Sequence, residues 1–485
     1  MEILIPDIRL IVPELIIIGT AMFVLILDIV FKQRQTSAII AFLGLLLAFQ
    51  YTHNLPFSVP ETSFYDMVTV DRYAVFFKYI FFVSLGLTIF ISLRYRALDK
   101  VPSGEYFSLL LLATSGMMFM VSSLNLLMIY LGLELMSLSL YVLAGINRSD
   151  LRANESAMKY LLLGSFSSAI FLYGIALTYG MTGTTNLKEI AIVLANSNLT
   201  ENPILILGII FLVIAFAFKV ALVPFHMWSP DVYEGAPTSV TAFMSVGPKA
   251  AGFAVMGRVL IEAFGRDATG SIELQASWLS MLWVLSIITM IFGNIVAIAQ
   301  RNIKRMLAYS SIAHAGYILL GIIVATPEGL SSTMTYLMIY AFMNIGAFSI
   351  VIYLNREGIF GESLDDYKGL ARTHPFIAFV MLIFMFSLAG IPPTAGFMGK
   401  FYLFMETIKA GYIYLVIIAL IFSAVSAYYY LRVVMYMYME EPVKEIHGVS
   451  SIPLYAVATG AAILVLGIGI YPAGLLDLAK AAISG

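Results

Sequence analysis

ILILGIIFLVIAFAFKVALVPFHMWSPDVYEGA, residues 204–236, decides the fold. Its first twenty residues are apolar enough to cross a membrane, yet one of them is Lys219, and the run breaks at Pro224 and continues as a more polar half-helix. A proline break at membrane depth frees backbone amides and carbonyls, which is tolerated only where the break is buried in protein or lines a wet cavity. A second stretch, FIAFVMLIFMFSLAGIPPTAGFMGKFYLFM at 376–405, repeats the pattern with its break at Ile391-Pro392-Pro393-Thr394-Ala395-Gly396 and with Lys400 just beyond.

Outward from these two stretches the chain is apolar almost throughout. Of 485 residues, 61% are hydrophobic and 12% charged, a balance that a soluble core could not bury. About fourteen spans of membrane-crossing length follow one another, with approximate cores at 11–31, 37–53, 70–93, 106–122, 124–146, 156–180, 204–223, 237–261, 276–299, 307–325, 332–354, 376–408, 411–436 and 451–471. The connections at 54–69, 181–203 and 355–375 are too short to fold alone. The expected fold class is therefore an all-α integral membrane protein, one polytopic domain over 1–485, with discontinuous helices seven and twelve. The two broken spans lie five helices apart, and a five-helix unit must invert on each copy. This predicts inverted repeats at 106–261 and 276–436, flanked by helices at 11–93 and 451–471, with half-channels opening to opposite sides.

Lys and Arg gather in alternate loops: Lys32 and Arg34; Arg94, Arg96 and Lys100; Arg148 and Arg152; Arg301, Lys304 and Arg305; Arg356, Lys368 and Arg372; Arg432 and Lys444. Those loops are expected inside, and an even span count then places both termini outside. The first span follows Glu2, Asp7 and Arg9 with no small-residue cleavage site after it, and reads as retained.

Several chemistries are excluded by composition. Without cysteine the chain offers no thiolates for iron–sulfur clusters or structural zinc, so redox chemistry belongs to a partner. The five histidines, His53, His226, His314, His374 and His447, show no metal-ligand spacing, and no phosphate-binding glycine loop points to nucleotide hydrolysis. No nucleic-acid partner is expected.

What remains is a small set of charges where charge is costly. Glu134 sits mid-span in LNLLMIYLGLELMSLSLYVLAGI, Lys219 and Lys400 stand beside the two breaks, and Lys249 lies about a dozen residues into the eighth span. A centrally placed charge costs roughly 2.5–3.5 kcal/mol on insertion scales and marks function by default. Burial and neighbouring charge can poise such groups to exchange protons near neutral pH. An ion pair between Glu134 and Lys219 would gate the lysine, and breaking it would send its proton toward Lys249 and Lys400. Three lysines with one carboxylate exceed what a closed set of structural bridges needs. His226 and His314 titrate in the useful range, and Tyr309, Ser310 and Ser311 are placed to carry bridging water. Glu155 with Lys159 reads as a surface-level i,i+4 pair, Glu14 and Asp28 as interfacially solvated, and Asp231 with Glu234 as half-helix caps or contacts to a partner.

At these residues the chain resembles the antiporter-like membrane subunits of respiratory complex I, the proton-pumping NADH:quinone oxidoreductase. The most specific segment is FKVALVPFHMWSPDVYEGAPTSVTAFMSVGPKAAGFAVMGR at 218–258, supported by QRNIKRMLAYSSIAHAGY and SLAGIPPTAGFMGKFYLF. The resemblance implies a fourteen-helix inner-membrane fold beside homologous antiporter-like subunits. It also implies a proton relay through Glu134, Lys219, Lys249 and Lys400, with His226 and His314 in the matching motifs. No cofactor is implied in this chain; NADH, FMN, iron–sulfur clusters and quinone would belong to partner subunits. Lysine at 400, where one sibling carries glutamate, and a chain ending without a long lateral helix narrow the comparison among members. A chloroplast or cyanobacterial relative and an enzyme with another electron donor fit the same motifs. Rival functions are a subunit of a multisubunit cation/proton antiporter, for which sodium would need oxygen ligands, and a passive membrane scaffold.

Overall fold

The chain was analysed as a computed structural model that describes residues 6–55, 61–355, 361–442 and 451–483. Glu2, Arg356, Lys444 and His447 lie outside the described residues. The chain enters through α1 (Val12–Phe31), α2 (Arg34–His53), α3 (Arg72–Ser92), α4 (Ser103–Val121), α5 (Leu126–Ala144) and α6 (Leu151–Thr182). A small hairpin of β1 (Glu61–Ser63) and antiparallel β2 (Val68–Val70) separates α2 from α3. After the short α7 (Leu187–Ala195) come α8 (Pro203–Lys219), α9 (Trp228–Gly235), α10 (Thr238–Arg258) and one turn of α11 (Arg266–Thr269). Then follow α12 (Ile272–Ala299), α13 (Ile303–Val324), α14 (Pro327–Leu354), a turn of α15 (Leu370–Thr373), α16 (Pro375–Ala389), α17 (Ala395–Lys409), α18 (Ile413–Met439), α19 (Ile452–Ile470) and α20 (Ala473–Ala481).

Eleven helices among the described residues are long and apolar enough to cross a membrane. The expected seventh and twelfth spans are each divided, into α8 with α9 and α16 with α17, and the expected eighth is α10, which carries Pro248, Lys249 and Arg258. The amphipathic α7 and the hairpin were not anticipated; both fall at connections expected only to be too short to fold alone.

Both divided helices stop in the same way. At the end of α8, Ala221 turns left-handed (φ 59°) and the Leu222 N–H returns to the Ala217 carbonyl at 2.8 Å. At the end of α16, Gly390 turns left-handed (φ 86°) and the Ile391 N–H returns to the Phe386 carbonyl at 2.9 Å. These six-to-one closures satisfy terminal carbonyls that apolar surroundings would otherwise orphan. Two helix starts also correspond. Asn125 and Asn302 each cap their own helix, α5 and α13, and each forms an isolated bridge to a distant loop, Asn125 to Asn186 and Asn302 to Ser363.

The helices alternate between two faces. Arg305, at the start of α13, binds α9, and Ser156, near the start of α6, donates to the Asp231 carbonyl of α9 at 3.0 Å, so these ends share one face. Gly174 and Gly208 meet backbone to backbone, setting the start of α8 beside the far end of α6. Gly321 and Gly329 join the end of α13 to the start of α14, and Tyr353 at the end of α14 meets His374 edge-to-face at the start of α16. Hence α8 and α16 descend from opposite faces. Small residues allow the closest crossings: a Cβ on Gly116 of α4 would lie 2.5 Å from the Met136 nitrogen of α5, and one on Gly293 of α12 would lie 2.7 Å from the Ala313 nitrogen of α13.

Candidate functional site

Glu134 occupies the middle of α5, half-buried between the exposed Leu131 and Leu138, and its carboxylate accepts the Ser168 hydroxyl from α6. Lys219 is the last residue of α8, and its buried ammonium donates to Ser137 Oγ at 2.8 Å, one turn along α5 from Glu134. The direct Glu134–Lys219 ion pair expected from sequence is not among the ion pairs of the described residues; Ser137 and Ser168 take the two charges instead. Each charge is thus held by a serine hydroxyl, a group that can both donate and accept.

Lys249 projects from α10 to α13, donating to Ser311 Oγ at 2.6 Å and to its carbonyl at 2.8 Å. Three residues on, His314 is clasped on both ring nitrogens: Nδ1 lies 2.6 Å from the Tyr336 hydroxyl of α14, and Nε2 lies 3.1 Å from the Tyr430 hydroxyl of α18. Tyr430 also bonds Ser310. Lys400, in α17, turns back onto the end of α16, donating to the Leu388 and Ala389 carbonyls at 3.2 and 3.0 Å and to Ser423 Oγ at 3.0 Å. A cation on those terminal carbonyls is stabilised by the helix dipole, as Lys219 is by its place at the end of α8. The Lys400 ammonium also lies 5.1 Å from the centre of the Tyr317 ring, whose edge approaches His314 at 5.9 Å between centroids.

Of the six predicted residues, Lys249, His314 and Lys400 gather along α13, while Lys219 is set through Ser137 on the helix of Glu134. His226 follows the break, buried with its ring 4.8 Å from Phe292, and stands apart from that line. Sequence reasoning named Ser310 and Ser311 but missed Tyr336, Tyr430, Ser137 and Ser423. Their signal was only a hydroxyl on an otherwise apolar helix face, which many structural serines and tyrosines share.

Charges set aside at the sequence level found definite partners. Glu155 does pair with Lys159 at 2.7 Å, and Lys159 also reaches Asp231 at 2.7 Å. Asp231 and Glu234 meet Arg305 at 2.7 and 2.8 Å, so α9 is clamped within the chain. Asp28 accepts the Ser37 and Ser103 hydroxyls. Glu14 corrects the interfacial reading: it is fully enclosed and pairs at 2.6 Å with Lys78 of α3, a buried lysine that the sequence reading passed over. No group of histidines and carboxylates suited to a metal ion occurs among the described residues.

A twice-interrupted apolar bundle with lysines at the broken ends defines a class of polytopic membrane protein, and comparison with known proteins specifies it. The family described as NADH:quinone oxidoreductase/Mrp antiporter, TM, matches residues 123–426, and the chain belongs to this family. It is 44% identical over 482 residues, 98% of this chain and 97% of the relative, to NADH-quinone oxidoreductase subunit N of Trichlorobacter lovleyi. A chain of respiratory complex I from Thermus thermophilus superimposes with a TM-score of 0.80 at 32% identity, covering 96% of this chain and 99% of that one. A chain of the Mrp complex from Dietzia sp. shares the fold, with a TM-score of 0.81 at 21% identity over 99% and 97% of the two chains.

Proposed function

We propose that this chain is a proton-translocating membrane-arm subunit of an NADH:quinone oxidoreductase, moving protons through Glu134, Lys219, Lys249, His314 and Lys400, with His226 beside the first break. NADH oxidation and quinone reduction, with FMN and iron–sulfur clusters, take place in partner subunits; this chain contributes no thiolate to such centres. The partners are the other membrane-arm subunits, homologous antiporter-like chains among them, within the inner membrane and with both termini outside.

The observation that carries this reading is the line from Lys249 through Ser311, Ser310, Tyr430 and His314 toward Lys400: buried amines joined by groups that both give and take protons. A sodium route would need a cluster of oxygen ligands, whereas hydroxyls, an imidazole and amines serve protons. The inverted repeat is supported by the paired closures at Ala221 and Gly390, by the Asn125 and Asn302 bridges, and by the descent of α8 and α16 from opposite faces. Glu134 acts on Lys219 through Ser137 and Ser168: when the carboxylate holds the lysine the proton stays, and when a hydroxyl takes its place the proton moves on toward Lys249.

The test replaces Lys219 with alanine in the intact complex and follows quinone-coupled proton pumping in membrane vesicles. Pumping and coupled turnover are expected to fall by about tenfold or more, the scale on which a positioned proton-transfer group acts. Undiminished pumping in a fully assembled complex would leave the chain a scaffold.

A further inference from the structure

One polar track in the molecule is used by none of the residues above. It begins in a cavity of about 450 Å³ on the face that carries Arg152 and Lys304, the inner face by the distribution of Lys and Arg, with Glu362, Asp150 and Tyr95 also in its wall. From there the Tyr95 hydroxyl donates to Thr238 Oγ1 at 3.1 Å, at the start of α10. The next residue, Ser239, lies 2.8 Å from the Tyr106 hydroxyl of α4, and Tyr106 lies 2.7 Å from Ser92 Oγ of α3. One and two turns further along α3 stand Thr88 and Ser84, fully buried, whose hydroxyls have no hydrogen-bond partner among the described residues.

Buried hydroxyls are satisfied as a rule, and two unsatisfied ones in succession mark a place where water completes the bonding. Beyond Ser84 the track reaches α10: a Cβ on Gly247, two residues before Lys249, would stand 3.5 Å from Ser84 Oγ and 3.1 Å from the Met117 thioether. On the same turn of α10, Ser245 Oγ accepts from Asn344 of α14 at 2.5 Å, and the Asn344 Oδ1 is buried without a hydrogen-bond partner among the described residues. One turn back on α14, the Tyr340 ring lies 5.2 Å from that of His314, and its buried hydroxyl has no hydrogen-bond partner among the described residues. Ser311, which holds Lys249, stands one turn before His314 on α13.

We propose that the α3 hydroxyl track, from Tyr95 through Tyr106, Ser92, Thr88 and Ser84 to the Asn344–Tyr340 edge of α14, is the inner-side proton uptake route to Lys249. Each hydroxyl accepts a proton on one side and gives up its own on the other, so the track ends unchanged. A proton leaves water in the cavity, and a neutral Lys249 amine becomes an ammonium. This inference rests on the relay reading for its destination, but its residues belong to a different part of the bundle.

The absence of cysteine from the sequence supplies the test. In the assembled complex, Thr88→Cys and Ser92→Cys are exposed to the membrane-impermeant methanethiosulfonate ethyltrimethylammonium reagent, in inverted and in right-side-out vesicles, and modification of this subunit is read by mass spectrometry. Both should be modified from the inner face alone. In parallel, Thr88→Val and Tyr106→Phe should lower coupled pumping by about tenfold while Thr88→Ser restores it, an effect that side-chain volume alone would not give. A track closed to the reagent from inside, or full pumping in Thr88→Val and Tyr106→Phe, overturns the route. If Lys249→Ala then still loses pumping, the relay stands and only the route falls. Full pumping in Lys249→Ala removes the relay reading and the route's destination together.

Discussion

Gly390 shows how much can rest on one missing methyl. Its φ of 86° lies where an L side chain is strained by roughly 1–2 kcal/mol, and a Cβ there would meet the Lys400 side chain at 3.1 Å and its ammonium at 3.3 Å. The lysine is flexible and would yield, leaving the Leu388 and Ala389 carbonyls that now hold it. Gly390→Ala is therefore expected to assemble with a lowered melting temperature and to pump fewer protons per quinone reduced, measured in reconstituted vesicles. The Glu14–Lys78 pair gives a second residue-scale prediction. Both side chains are within 1% of full burial, so neutralising one partner strands the other in apolar surroundings. Glu14→Gln alone should cost about 3–5 kcal/mol, while Glu14→Gln with Lys78→Met should return close to the parent stability, as read from thermal melting of the complex.

At the scale of elements, the bundle is fastened at helix ends. Asp71 caps α3 and accepts Arg258 of α10 at 2.8 Å, joining two helices far apart in sequence at the face opposite Lys304. Burial disfavours the Asp71 carboxylate, but the charge and hydrogen bonds of the Arg258 guanidinium, with the Ala74 N–H, hold its acid below the ordinary aspartate range. A carboxyl whose folded-state value is lowered stabilises fully above its unfolded value, near pH 4, and loses that contribution as pH falls through the folded value. The stability gap between the parent complex and Asp71→Asn should thus be constant around neutrality and close on acidification below about pH 4, as followed by thermal melting. On the face that carries Lys304 the clamp of Arg305 on Asp231 and Glu234 fixes α9, and with it the mouth of the break after α8.

For the molecule as a whole, the sequence carried the architecture further than the site. Long apolar runs make spans legible because a bilayer admits little else, and prolines at 224 and 392–393 mark breaks that backbone hydrogen bonding cannot ignore. Lys219, Lys249 and Lys400 were legible for the same reason: charge is conspicuous in an apolar run. Glu14 and Lys78 were misread or missed because each sits within two turns of its span's start, where sequence alone cannot tell solvent from neighbouring helices; only packing of α1 on α3 decides. Tyr336, Tyr430, Ser137 and the α3 hydroxyls were hidden because their partners come from other helices. The helix α7 escaped notice because nine residues are too few to stand out between two long spans.

The opposed half-helices have an electrical consequence. The runs of α8, 17 residues from one face, and of α16, 15 residues from the other, reach about 25 and 22 Å into a bilayer of about 40–45 Å including headgroups. Lys219 and Lys400 therefore stand near the same depth, and on the proposed relay a proton passing between them by way of Lys249 and His314 would travel in the plane of the membrane. That lateral leg would cross almost none of the transmembrane voltage, so the work of about 2.3 kcal/mol per 100 mV for a full crossing would fall on uptake and on release.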